Sequence, residues 1–124
     1  MELTKAEEQV MQILWGLEKA FVKEIIEKFD NPKPAYNTVS TIIRILEKKN
    51  FVSYNSFGKT HQYYPLVKKD SYKKSSLNKM IDGYFNKSYK NLVSFFSSVE
   101  ELSIEDMEEI KKMMDQKIKN LKDK

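Results

Sequence analysis

Cysteine is absent from this 124-residue chain and histidine occurs once, at His61. The first absence excludes disulfides, thiolate metal ligation and thiol redox sensing within the chain. With a single imidazole as well, no metal site is expected. No apolar run approaches the roughly 18 residues of a membrane span. The opening Met1-Glu2-Leu3-Thr4-Lys5-Ala6-Glu7-Glu8 carries acids early and has no signal-peptide core. A cytoplasmic protein without membrane insertion is therefore expected. No nucleophile–base pair and no Gly-rich phosphate loop stands out, so neither an enzyme nor a cofactor is expected. Glycine and proline number three each, so each one punctuates the chain.

What is present is a charged fraction of 32% and a hydrophobic fraction of 40%, the balance of a globular protein. The length suits one compact domain or a small domain with an appendage. The net charge of +4 is modest, but its distribution is uneven. Residues 36–69 carry six Lys or Arg against Glu47 alone, and residues 71–99 carry five Lys against Asp82 alone. Both ends are net acidic. A basic middle fits the electrostatic footprint of a polyanion partner, and also a merely solvated surface.

Hydrophobic spacing marks a succession of helices. Thr4-Lys5-Ala6-Glu7 reads as a capping box, followed by Val10, Ile13, Leu14 and Leu17 at helical intervals. Trp15 is expected to pack at the helix end, with Gly16 near its C-terminus. Phe21-Val22 reads as a short strand or the lead-in to a second helix on Val22, Ile25, Ile26 and Phe29. Pro32 and Pro34 then enforce an extended connection. In the third helix Val39, Ile42, Ile43 and Leu46 share one side, while Tyr36, Asn37, Ser40, Thr41, Arg44 and Lys48 fall on the opposite arc. Short hydrogen-bonding side chains followed by cations suit a DNA major groove, although most polar helix faces are simply solvated. Asn50 is placed to end this helix in a left-handed conformation. Phe51–Asn55 and Thr60–Tyr64 read as a hairpin turning through Ser56-Phe57-Gly58-Lys59. Three helices and a hairpin within about 70 residues form the order of a winged helix-turn-helix.

After Pro65-Leu66-Val67-Lys68-Lys69-Asp70 helical spacing resumes at Leu77, Met80, Ile81, Tyr84 and Phe85, with a bend or break expected near Gly83. Leu92, Val93, Phe95, Phe96 and Val99 form another apolar group. Ser103 reads as an N-cap to a last helix on Met107, Ile110, Met114, Ile118 and Leu121. These faces are too much apolar surface for so short a segment to bury alone; they can fold back on the N-terminal domain or pair with a second chain, and pairing is the favoured expectation because two-fold symmetry gains a second half-site. The fold class is thus mainly α with a small β-hairpin: a winged helix-turn-helix over residues 1–70 and a helical dimerisation and regulatory region over 71–124.

The strings A-Y-N-T-V-S-T-I-I-R-I-L-E-K-K-N-F-V and G-K-T-H-Q-Y-Y-P-L-V, with the opening L-T-K-A-E-E-Q-V-M-Q-I-L-W, resemble the penicillinase-repressor family, the BlaI/MecI type of winged-helix repressor. The likeness covers about residues 3–67 and continues through N-L-V-S-F-F and E-E-L-S-I-E-D-M-E-E-I. It implies a homodimeric transcriptional repressor, related to antibiotic-resistance regulators, that binds a palindromic double-stranded operator. By position, it implies that Asn37, Thr38, Ser40 and Thr41 face bases or nearby phosphates. Arg44 and Lys48 would lie along the backbone, Lys59 at the wing tip, and Tyr36 either near the sugar-phosphate or under the helix start. Leu77, Met80, Ile81, Tyr84, Phe85, Leu92, Phe95, Phe96, Met107, Ile110 and Met114 would serve the dimer. The likeness also implies release by proteolysis, with a membrane-bound sensor-protease as partner. The pair matching the family's cleaved Asn–Phe bond is Phe95-Phe96, whose other reading, as dimer core, carries more weight. Asn50 replaces the family's usual Gly, and Asn37 its usual Thr or Lys. The C-terminal cysteines of the copper-responsive branch are missing.

Other chemistry has bland readings. His61 alternates with Tyr63 and is expected as a packed wing residue. The acids Glu100, Glu101, Glu105, Asp106, Glu108 and Glu109 suit a helix start, and the methionines adaptable core filling. The alternative function is a winged-helix protein–protein interaction module that does not bind DNA.

Overall fold

The computed structural model describes residues 2–99 and 101–124. Glu100, one of the acids singled out above, lies outside the described residues. The elements run α1 (Lys5–Leu17), α2 (Val22–Glu27), α3 (Tyr36–Lys48), β1 (Val52–Phe57), β2 (Thr60–Pro65), α4 (Lys69–Tyr84), α5 (Tyr89–Ser98) and α6 (Ile104–Lys122). The fold is mainly helical with one antiparallel hairpin, and its first five elements have the winged helix-turn-helix order. The chain divides into two compact units, Met1–Ser76 and Leu77–Lys124.

In the first unit the expected capping box starts α1. Glu7 N donates to Thr4 Oγ1 at 3.2 Å, and Thr4 N donates to Glu7 Oε1 at 3.1 Å. Of the alternatives at Phe21-Val22, the helix lead-in is realised: Phe21 is the N-cap of α2 and its N–H donates to Glu24 Oε1. One residue earlier, Ala20 pairs with Tyr63, each N–H donating to the other's carbonyl at 2.9 and 2.8 Å. This pairing ties the hairpin to the helices. The Lys33 ammonium donates to the carbonyls of Glu27 and Phe29, closing the end of α2. Asn50 is left-handed at φ 64°, and Phe51 N donates to Leu46 O, a six-to-one return of the Schellman type.

The hairpin is longer than expected. Strand pairing runs from Val52↔Pro65 to Phe57↔Thr60, so only Gly58 and Lys59 form the turn. Gly58, at φ 64°, supplies the left-handed conformation that a two-residue turn requires. Val10, Met11, Leu14, Ala20, Val22, Ile25, Val39, Ile43, Leu46, Phe51, Val52 and Tyr63 form the core. Trp15 is partly buried at its margin, its indole N–H donating to Val67 O at 2.9 Å and its ring 5.5 Å from that of Tyr72.

In the second unit α4 ends at Tyr84, beside Gly83, where a bend or break is expected. The break comes at Asn86 and Lys87, both with positive φ, and Lys87 N returns to Ile81 O. Ser88 and Ser103 cap α5 and α6 by accepting from Asn91 N and Asp106 N.

An ionic contact crosses the first unit. Glu7, 5% exposed, accepts from the Lys49 ammonium, which follows α3. Burial pushes the Glu7 carboxyl up, but the Lys49 and Thr4 hydrogen bonds outweigh it and hold it below the ordinary carboxylate value. A lowered folded-state value means that this stabilisation is present above the unfolded-state value and is lost as pH falls through the folded-state value. Glu7→Gln is expected to cost about 1.5–3 kcal/mol in urea melts near neutral pH, the range for a hydrogen bond to a charged group. The gap from wild type should close as pH drops through the acid range.

Candidate nucleic-acid interface

The orientation of α3 follows from its apolar stripe. Val39, Ile43 and Leu46 are fully buried, and Ile42 packs against the same core. At about 100° per residue, the directions opposite that stripe belong to Asn37, Thr41 and Lys48, flanked by Arg44 on one side and by Thr38 and Ile45 on the other. All six are exposed. The Thr41 hydroxyl donates to Asn37 O at 2.8 Å, so its proton is committed to the backbone and the oxygen is left to accept. Among the described residues neither Arg44 nor Lys48 takes part in a salt bridge.

Two of the expected outer-arc residues sit elsewhere. Ser40 is only 9% exposed, lying about 100° from Val39 on the side of α3 that faces the start of α2 and the hairpin. It lines the flank of α3 rather than its outer face. Tyr36, half exposed, stands on that same flank. Between this flank, the start of α2 and the hairpin runs a groove of about 660 Å³, lined by Phe21, Lys23, Glu24, Tyr36, Ser40, Arg44, Glu47, Tyr54, Lys59, His61 and Tyr63 among others. Lys23, Arg44 and Lys59 bring three cations to it against Glu24 and Glu47. Lys59 occupies the exposed turn at the wing tip.

Aromatic rings stiffen the wing side of the groove. His61 stacks on Tyr54 with centroids 3.9 Å apart and planes 8° from parallel, and both meet Tyr63 at an angle. His61 and Tyr63 share one face of the hairpin, as the alternation in the sequence requires. Burial, then the charge of Glu47, pushes the Tyr63 phenol above its ordinary value. Phe57 remains more than half exposed, edge-on to Phe21 at 5.8 Å.

Three features of this region went unread in the sequence. Ile45 is an aliphatic side chain on the outer arc. A helical wheel centred on Val39, Ile43 and Leu46 would have revealed it. The groove-side places of Lys23 and Tyr54 follow from how α2 and the hairpin meet α3, and no local pattern announces them.

The second unit carries most of the exposed apolar surface. Leu77, Met80, Tyr84, Phe95, Phe96, Met107, Ile110 and Met114 are all exposed, as are Val93, Met113, Ile118 and Leu121. Phe85 and Leu92 are partly covered, and the Phe85 and Phe95 rings lie 5.7 Å apart. Ile81 differs from the others expected on a pairing surface: at 2% exposure it is already covered within the single chain. Among the described residues no helix is long and apolar enough to cross a membrane, and no group of three or more His, Cys, Asp or Glu could hold a metal ion.

Comparison with known proteins gives this arrangement a context. The methicillin resistance regulatory protein MecI of Staphylococcus aureus strain N315 is 34% identical over 121 residues, covering 94% of this chain and 95% of its own. The penicillinase repressor of Staphylococcus aureus is 26% identical over 115 residues, covering 92% and 91%. A solved CopR repressor structure is 30% identical, covers 55% of this chain and 100% of its own, and superposes with a TM-score of 0.46. The model of the penicillinase repressor family matches residues 3–116. With that match spanning nearly the whole sequence, the chain belongs to the penicillinase repressor family.

Proposed function

We propose that this protein is a cytoplasmic, homodimeric transcriptional repressor that binds a palindromic operator through α3 in the major groove. The names of its relatives carry regulation of methicillin resistance and repression of penicillinase, which supports this reading. The observation that carries the DNA-reading role is the division of α3: Val39, Ile43 and Leu46 wholly buried, with Asn37, Thr38, Thr41, Arg44 and Lys48 exposed on the other side. Asn37 has both donor and acceptor for an adenine edge, and Thr41 an acceptor for an exocyclic amine. Arg44 and Lys48, in no salt bridge among the described residues, suit phosphates, as does Lys59 on the wing. Tyr36 and Ser40 border the groove and act there on the sugar-phosphate side rather than at base edges. The groove cations support a backbone path between α3 and the hairpin.

The exposed apolar residues of α4, α5 and α6 support a homodimer, which would present two copies of α3 to the two halves of a symmetric site. Release from the operator is by proteolysis in the C-terminal region, through a membrane-bound sensor-protease, with Phe95-Phe96 as the position to examine. The regulated genes are of the antibiotic-resistance kind named in the relatives. A second reading, a winged-helix module for protein contact alone, is favoured by the same exposed apolar faces and by the modest net charge.

Anisotropy titrations against an operator selected from random-sequence DNA test the main reading. Arg44→Ala and Lys48→Ala should each weaken binding to all sequences and flatten the log–log salt dependence by about one unit for each phosphate no longer neutralised. Asn37→Ala and Thr41→Ala should instead erode discrimination between sites, by ~1–3 kcal/mol per base contact. Salt-insensitive behaviour with no DNA affinity would favour the interaction module.

Pairing and release have their own measurements. Sedimentation should find a dimer, and Phe96→Asp with Met107→Asp should shift it to monomer and lower operator affinity. Incubation with the cognate sensor-protease, read by mass spectrometry, should yield fragments ending near Phe95. An intact chain with normal derepression would exclude proteolytic release.

A further inference from the structure

Ile45 is the one aliphatic side chain on the outer arc of α3. It is 38% exposed and stands outside both the core cluster and the partly buried residues packed against it. It shares its side of the helix with Thr38 and Thr41, and Thr38 to Ile45 spans about 10 Å along the axis at 1.5 Å per residue. That length fits within a major groove about 12 Å wide.

A single exposed isoleucine on a protein surface needs no explanation. Its situation changes if α3 enters DNA, because the side chain then loses its water and must meet something. On the floor of the major groove the one projecting apolar group is the 5-methyl of thymine, the rest of the base edges being hydrogen-bonding groups and flat ring C–H. Facing an exocyclic amine or a carbonyl, Ile45 would desolvate that group without replacing its hydrogen bond, at a cost. Facing a thymine methyl, it buries apolar surface on both sides.

We infer that Ile45 is a specificity-determining residue that reads a thymine methyl in each half-site. The inference rests on the DNA-reading role proposed for α3. It adds an apolar element to a surface otherwise composed of hydrogen-bonding and cationic groups. It also assigns one base type to one side chain, which the polar residues, each able to serve several bases, do not.

Removing the methyl and nothing else tests this. The full-length protein is titrated with its selected operator and with versions in which each thymine in turn is replaced by uracil. At one thymine per half-site the wild type should weaken by about fourfold, the equivalent of ~0.8 kcal/mol for one buried carbon. Ile45→Ala should bind the unmodified operator more weakly and be indifferent to uracil at that position. Ile45→Val, which keeps a branched side chain, should retain the sensitivity. Thermal melts of the variants should match wild type, since the position is outside the core. Equal uracil sensitivity in wild type and Ile45→Ala would overturn the inference. So would no sensitive position, or a sensitivity abolished by Thr41→Ser instead. If Asn37→Ala and Thr41→Ala still erode discrimination while Ile45 shows no coupling, only this inference falls. If no sequence is preferred at all, the DNA-reading role falls with it.

Discussion

Three side chains of α3, those of Val39, Ile43 and Leu46, are withdrawn from water completely, and their burial sets the rotation of the helix about its own axis. Each is worth roughly 1.5–3 kcal/mol when fully buried. Together they match a large share of the stability of a small domain, about 5–15 kcal/mol. Turning the helix to hide Asn37, Thr41 or Lys48 would forfeit that burial and desolvate polar groups besides. The outward face of α3 is thus a consequence of core packing. The Glu7–Lys49 contact is the smaller effect, joining the N-terminal turn of α1 to the residue that follows α3.

The hairpin depends on the same core. Tyr63 is buried on its inner face and pairs through its backbone with Ala20, so the wing is attached to the segment between α1 and α2 as well as to α3 through Phe51. This attachment makes a groove out of a helix and a hairpin that are neighbours in sequence. Cations reach it from three places far apart in the chain: Lys23 on α2, Arg44 on α3 and Lys59 at the turn. The stacked Tyr54 and His61 rings give its wall a fixed shape.

The C-terminal unit obeys the opposite rule. Ser103 caps α6 as expected and Ser88 caps α5, yet apart from Ile81 its apolar residues are left exposed or half-covered. Caps and periodicity suffice to form helices with little interior of their own.

Much of this was legible locally. The Thr4–Glu7 box, the left-handed Asn50, the Gly58 turn, the Ser103 cap and the apolar stripe of α3 are properties of a few adjacent residues, and each appears in the structure where its chemistry requires it. The exception is Ser40. It looked like an outer-face residue because serine is polar and spaced for that arc, but its burial depends on how closely neighbouring elements approach the flank of α3. The sequence alone determined the order of the helices and the hairpin and which side of each main helix is apolar, since these depend on short-range sterics, hydrogen bonding and periodicity. Only the tertiary structure decided that Ser40 turns inward, that Ala20 joins the hairpin, and that Lys23, Arg44 and Lys59 meet across one groove. Those outcomes depend on distances between segments, which no run of neighbouring residues encodes.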